Sequence, residues 1–445
     1  MIRRSFLGAI GGAPYLWIPR TLAFQRPGGP APEPFQPAEG ANQPMGTGQG
    51  IHPGRVVWAR DTKATTWDGV KGYWWDDEFT DQKAVHEMMS RSILRLTGSK
   101  NEKQAWDALF RNFNETRKRG RSGYKPGERI AIKMNCNQDR SPEWGKPGAG
   151  RRALNGLPSP QVALALAAQL VERAGVRGED ILIYDVTGFR NVGQPIFTRF
   201  RQSADAQLQK VQFLAGTHYD LPGRLSAVPD VENPIRFARE GIPAGYLPKQ
   251  VTEATYMINV ALLRTHGMAG VTLLAKNHFG SVHFPNDGGW SPRVLHNHVL
   301  RTAPAGSYNA LVDLLGHPHL GGKTMLNIFD ALYTAEHNEG NVFRWASLEN
   351  QWAASLLVSQ DPVALDSVGV DFLRNEPRAT QVRGSVDNYL HEAANAARPA
   401  SGTAYAPSGA ALKSLGVHEH WNNAAERKYS RNLGSKEGIE LVTAA

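Results

Sequence analysis

"SPQVALALAAQLVERAGVRGEDILIYDV", residues 159–186, reads as one helix followed by one strand. Ser159 is a side-chain cap, and Pro160 occupies the first helical position, where its missing N–H costs nothing. The run stays largely apolar until Gly175 stops it. "DILIYDV" (180–186) is then short, apolar and bounded by turn residues, the pattern of a buried strand. Similar runs recur as "RVVWAR" (55–60), "RIAIKMN" (129–135), "KVQFLA" (210–215), "YMINVALL" (256–263), "TMLNIFDA" (324–331) and "ASLLVSQ" (354–360). "DPVALDSVGVDFL" (361–373) repeats the capped, proline-led opening with Asp361 and Pro362. Strand and helix in alternation predict an α/β fold, a mostly parallel sheet flanked by helices in Rossmann-like layers, built as one domain or two coupled lobes. There is no internal repeat.

The chain has 445 residues, 41% of them hydrophobic, enough for a large core. Cys136 is its one cysteine, which excludes an internal disulfide, a thiolate zinc finger and a four-cysteine iron–sulfur cluster held by this chain alone. A resident divalent metal would therefore need nitrogen and oxygen ligands. The net charge of +9 favours small anionic molecules or acidic polysaccharide over basic partners. A basic surface kept for solubility is the plainer alternative. Nucleic acid is not expected, because no binding module is recognisable.

Residues 1–26 open "MIRRSFLGAI", with paired Arg3 and Arg4 ahead of Phe6 and Leu7. This resembles a twin-arginine export signal and implies the twin-arginine machinery as a partner, with a periplasmic or extracellular destination. Residues 27–50 hold six prolines and six glycines in 24 positions, so 27–53 is expected to be a flexible linker and 54–440 the folded domain. No later run is apolar and long enough to span a bilayer, so no transmembrane segment is expected in the mature chain.

In open α/β sheets, ligands bind beyond the carboxyl ends of the strands. Those ends carry Lys133, Asn135, Asp185, Arg264, His266, Asp330 and Asp361, which would meet on one rim if the strands are parallel neighbours. Asp361 also suits a helix cap. Eight of the 14 histidines (266, 278, 283, 296, 298, 317, 319 and 337) fall within 72 residues, a concentration of groups fit for metal binding and for proton transfer near neutral pH. "HNH" at 296–298 would share a face on a strand and diverge on a helix. Lys276, between "VTLLA" and Asn277, is either a snorkelling surface residue or an ammonium held at the rim as anion holder or base. These residues divide into catalytic candidates Lys276, His266 and Asn277, substrate-binding candidates Lys133, Asn135 and Arg264, and metal candidates His283, His278 and Asp330. The dinucleotide G-x-G-x-x-G, the P-loop and the G-x-S-x-G elbow are all absent after the candidate strands.

"IKMNCN" (132–137), "ILIYDVTG" (181–188), "MINVALLRTHGMAGVTLLAKNHFGSV" (257–282), "NIFDALYTAE" (327–336) and "DPVALDSVGVDFL" (361–373), with residues 159–175, resemble successive blocks of the domain of unknown function 362 family. "YLHEAA" (389–394) and "SLGVHEH" (414–420) resemble its closing segment. The resemblance spans residues 55–435 and implies an α/β domain, accompanied in some relatives by ferredoxin-type cysteine motifs that this chain lacks. It brings no established activity. Three functions stay open: an exported enzyme acting on an anionic or polyhydroxylated small substrate by metal-dependent hydrolysis, elimination or isomerisation; a non-catalytic metal or cofactor binder; and an acidic-polysaccharide binder using Trp74 and Trp75 as a sugar platform.

Overall fold

The computed structural model describes residues 32–136, 156–187, 193–216, 222–287, 289–290, 292–338 and 340–444. The expected export leader lies outside them. Nine strands form the main sheet: β1 (Arg55–Arg60), β2 (Ile130–Lys133), β3 (Ile181–Tyr184), β4 (Gln212–Ala215), β5 (Leu225–Ser226), β6 (Tyr256–Leu262), β7 (Thr324–Ala331), β8 (Ser355–Ser359) and β9 (Glu440–Thr443). Their order across the sheet is β9-β1-β8-β7-β6-β2-β3-β4-β5. β8 runs against both its neighbours, β7 and β1, while the other eight strands share one direction. The architecture is the expected α/β fold with a mostly parallel sheet.

The central strands are apolar on both faces, as a sheet covered on both sides requires. Ile130, Ile132, Ile181, Ile183, Ile258 and Val260 face one core, into which α1 (Gln82–Thr97), α2 (Glu102–Thr116) and α3 (Pro160–Ala168) pack. Ala131, Leu182, Tyr184, Met257 and Ala261 face the other. That second face is covered by α4 (Leu274–Asn277), α5 (Ala310–Gly316), α6 (Pro362–Arg374) and α7 (Asn388–Ala394). The helix read from residues 159–175 forms as expected: Ser159 accepts the Val162 N–H, and the chain leaves its last turn through Gly175 at φ +71°.

Three expectations are corrected. Because β8 is antiparallel, Asp361 leaves the sheet at the edge opposite the rim. There it caps α6 through Ala364 N–H (2.9 Å) and also accepts from Gln49 N–H (2.8 Å). Trp74 and Trp75 are buried, Trp74 against Tyr333 and Trp75 stacked on Tyr73, so neither ring is an exposed sugar platform. Residues 32–53, within the expected spacer, lie packed on the domain. Phe35 is buried, and Met45–Gly46 pair antiparallel with Val417–His418. Proline and glycine forbid a helix here, but an extended arm can still add backbone hydrogen bonds at an edge. No helix among the described residues is long and apolar enough to cross a membrane.

Candidate functional site

The rim residues separate into two groups with opposite electrostatics. In the first, the last residue of β2, Lys133, sends its ammonium to Asp185 Oδ2 (3.2 Å), Asn277 Oδ1 (3.1 Å) and the Met134 carbonyl (2.5 Å). An ammonium has three donors, and all three are used. Asp185 also accepts from Cys136 N–H (2.8 Å) and from Thr187 N–H (2.9 Å) and hydroxyl (2.6 Å). Asn277 passes its own amide to Asn259 Oδ1 (2.7 Å) and the Val260 carbonyl (3.1 Å). Gly280 closes over the pair: a Cβ there would lie 2.6 Å from Asp185 Oδ1 and 2.7 Å from Lys133 Nζ. Lys133 and Asn277, expected to bind and transform substrate, are bound to each other in a satisfied buried network.

The second group gathers around α4. Its first N–H groups, on Leu274 and Ala275, are held by Asp366 of α6 (2.8 and 3.2 Å), whose carboxylate also accepts from the Tyr389 hydroxyl (2.9 Å). This fixes the turn that carries Lys276. Lys276 is buried, and its Nζ sits 3.3 Å above the Phe279 ring centre and 3.5 Å from His296 Nε2. Among the described residues it has no carboxylate partner. Burial first, and then the nearby Arg264 guanidinium, push its pKa well below the usual lysine value. His266 stacks 6.0 Å from His296, and its Nδ1 accepts the Met268 and Ala269 N–H groups, so the neutral ring carries its proton on Nε2. Burial and the Lys276 charge hold His266 well below its ordinary pKa, and burial takes His296 down to about 3. Arg264 reaches Asn135 Oδ1 (2.8 Å) and the Gly156 carbonyl (3.1 Å), so it braces the loops flanking the rim while lending its field to Lys276. Lysine, two neutral imidazoles and a fixed guanidinium make a dry basic site suited to an anion or to a developing negative charge.

The expected metal set does not assemble. Asp330 accepts the Ser159 N–H (2.6 Å) and the Leu332 N–H (3.4 Å), and burial raises it to about 6. His278 is fully buried against Asn259, while the ring of His283 meets the edge of Trp290. Asp330 sits near the end of β7, His278 just after α4 and His283 in an isolated bridge with Tyr246, and among the described residues the three do not form a metal-binding group.

The described residues do hold one group of ligand-type side chains within reach of one ion: Glu39, Asp387, His418 and His420. The sequence reading missed it. Glu39 lay in the assumed spacer, and the face-sharing logic of His-x-His was applied to residues 296–298, which form a 3₁₀ turn. His418 and His420, at the same spacing on an extended segment, are the pair to which it applies.

A model of the family described as Domain of unknown function (DUF362) matches residues 130–371. That span contains the whole rim and leaves Glu39, Asp387, His391, His418 and His420 outside it. No curated protein matches the chain.

Proposed function

We propose, on the premise that the chain belongs to the family described as Domain of unknown function (DUF362), that it is an enzyme acting on a small anionic substrate at a lysine-centred site. The observation that carries this reading is the buried Lys276 amine without a described carboxylate partner, set between His266, His296 and Phe279. Burying such a group costs stability, and a site of this kind is kept where the amine performs chemistry. In the neutral form, Nζ takes a proton from the substrate carbon beside a carboxylate or carbonyl. The electron pair left behind moves toward that oxygen, or onward to expel a leaving group, and His266 Nε2–H donates to the oxygen as its charge grows. Arg264 supplies positive potential without leaving its own partners. Proton abstraction, as in elimination or isomerisation, suits this arrangement better than metal-assisted hydrolysis through His278, His283 and Asp330. We further propose that the protein works outside the cytoplasm, exported through the Arg3–Arg4 leader.

The test is a thermal-shift screen of small carboxylates and phosphorylated compounds, followed by NMR in D₂O of those that bind. A hit is expected to exchange or rearrange a C–H bond with wild-type protein. Turnover is expected to fall about 10²–10⁴-fold in Lys276→Met and equally in Lys276→Arg, which keeps the charge but cannot release the proton. Turnover retained in Lys276→Arg would reduce Lys276 to an anion holder and overturn the proposed chemistry.

A further inference from the structure

We infer that Glu39, Asp387, His418 and His420, with His391 beside them, form a binding site for one divalent transition-metal ion, which fastens the N-terminal arm to the domain. Glu39 Oε1 lies 3.1 Å from His391 Nε2, 3.1 Å from His418 Nε2 and 3.6 Å from His420 Nε2. Asp387 Oδ2 lies 3.3 Å from His391 Nε2 and 3.6 Å from His420 Nε2. Ligand atoms each ~2.1 Å from a common ion stand roughly 3.0–3.4 Å apart at neighbouring positions, which is close to the spacing found here. Four donors from three separate parts of the chain thus surround one point, and His391 lies against both of their carboxylates.

The outer partners aim the rings. Ser367 Oγ donates to the Val363 carbonyl (2.7 Å), which leaves it to accept from His418 Nδ1 (2.8 Å). Asp371 Oδ1 lies 2.6 Å from His420 Nδ1. Both rings are therefore held at Nδ1 from outside and turn Nε2 to the centre, the outer-partner arrangement that supports histidine metal ligands. His420 is 1% exposed, and the Nε2 atoms of His420 and His391 are buried facing the Glu39 and Asp387 carboxylates. Two carboxylates facing ring nitrogens across one buried point suit a divalent cation, which would take the place of the ring protons there. Two imidazoles with two carboxylates suit zinc, manganese or iron; calcium and magnesium prefer oxygen alone.

The site's place in the fold says what the ion does. Glu39 belongs to the arm, Asp387 and His391 to the start and body of α7, and His418 and His420 to the segment that pairs with the arm. Apart from the ion, the arm's attachment includes backbone bonds such as Phe35 N–H to the Val382 carbonyl (3.1 Å) and Asn42 N–H to the His420 carbonyl (2.9 Å). The ion clasps the arm. Because α7 also carries Tyr389, which reaches Asp366 at the head of α4, the clasp steadies the turn that holds Lys276.

The test titrates Co²⁺ into metal-stripped full chain, reading visible d–d absorption and protease cleavage of the arm. One equivalent is expected to bind, to give d–d absorption bands and to protect the arm. Binding is expected to weaken by at least about 10–100-fold in Glu39→Gln and His418→Ala, and by about 10–100-fold in Asp371→Asn through the outer partner alone. Lys276→Met is expected to bind Co²⁺ as wild type does, so failure of the lysine chemistry and failure of the clasp are separable. His418→Ala risks misfolding; Glu39→Gln, at the arm, is the decisive variant once circular dichroism shows it folded. Failure of wild-type protein to take up one equivalent, or undiminished uptake by folded Glu39→Gln, overturns the inference.

Discussion

Lys133 and Lys276 are two buried lysines near the same sheet edge, and they have opposite surroundings. Lys133 has a carboxylate, an amide oxygen and a carbonyl for its three protons. Lys276 has one imidazole nitrogen at 3.5 Å, an aromatic face and a neighbouring cation that repels it. Burial alone therefore does not mark a functional lysine. What marks it is burial that no carboxylate among the described residues compensates, because such a partner is then left for a ligand to supply.

The sharpest way to break the comparison is to remove Lys133. Lys133→Met leaves the Asp185 carboxylate, 3% exposed in its side chain, with N–H and hydroxyl donors but no counter-charge. Breaking a buried pair from one side costs about 3–5 kcal/mol, and urea denaturation is expected to show a loss of that size. The double variant Lys133→Met/Asp185→Leu is expected to recover most of it. A single-variant loss below about 1 kcal/mol would mean that the pair is not structural, and the contrast with Lys276 would collapse.

Lys276 is expected to respond in the other direction. Its folded pKa lies well below 10.5, so between the two values the unfolded chain binds a proton that the folded chain does not. Stability then rises with pH across that window, by about 1.4 kcal/mol per unit, and levels off above 10.5. Lys276→Met removes this contribution. The variant is expected to be more stable than wild type at neutral pH, with the difference shrinking as pH climbs. Equal stability curves for the two proteins would show that Lys276 is not desolvated in solution.

The fold was more legible than either site. The seven sequence-derived strands and the capped helices at Ser159 and Asp361 were visible because apolar runs and end caps are local signals. Of the seven residues read onto the rim, Lys133 and Asp185 meet at the ends of neighbouring parallel strands and Arg264 meets Asn135, while Asp361 lies at the opposite edge. What local pattern could not reveal was partnership. Nothing in "IKMN" says that Lys133 meets Asp185 and Asn277, and nothing in "LLAKN" says that Lys276 meets no described carboxylate. The reversal of β8 was equally hidden, since a strand's direction depends on how its connections run. The metal-type cluster was missed for a related reason: its ligands come from positions 39, 387, 418 and 420, and only the folded chain brings such distant positions together.

The smallest predicted effect isolates the aromatic surface beneath each ammonium. The Tyr184 ring centre is 5.8 Å from Lys133 Nζ, while the Phe279 ring centre is 3.3 Å from Lys276 Nζ. A ring face favours the charged amine by about 0.5–2 kcal/mol, and more at short range in a dry site. Phe279 thus partly offsets the desolvation that lowers the Lys276 pKa. Phe279→Leu removes that offset while keeping most of the packing volume, so the pKa should fall further, by about 0.4–1.5 units from the same energy range. If Lys276 acts as the neutral base, the acidic limb of the pH–rate profile shifts to lower pH by that amount. If it acts as a fixed cation, the alkaline limb shifts downward instead, and binding of the anion weakens with it. The direction in which one limb moves therefore decides whether the uncompensated lysine is held ready to take a proton or to hold a charge.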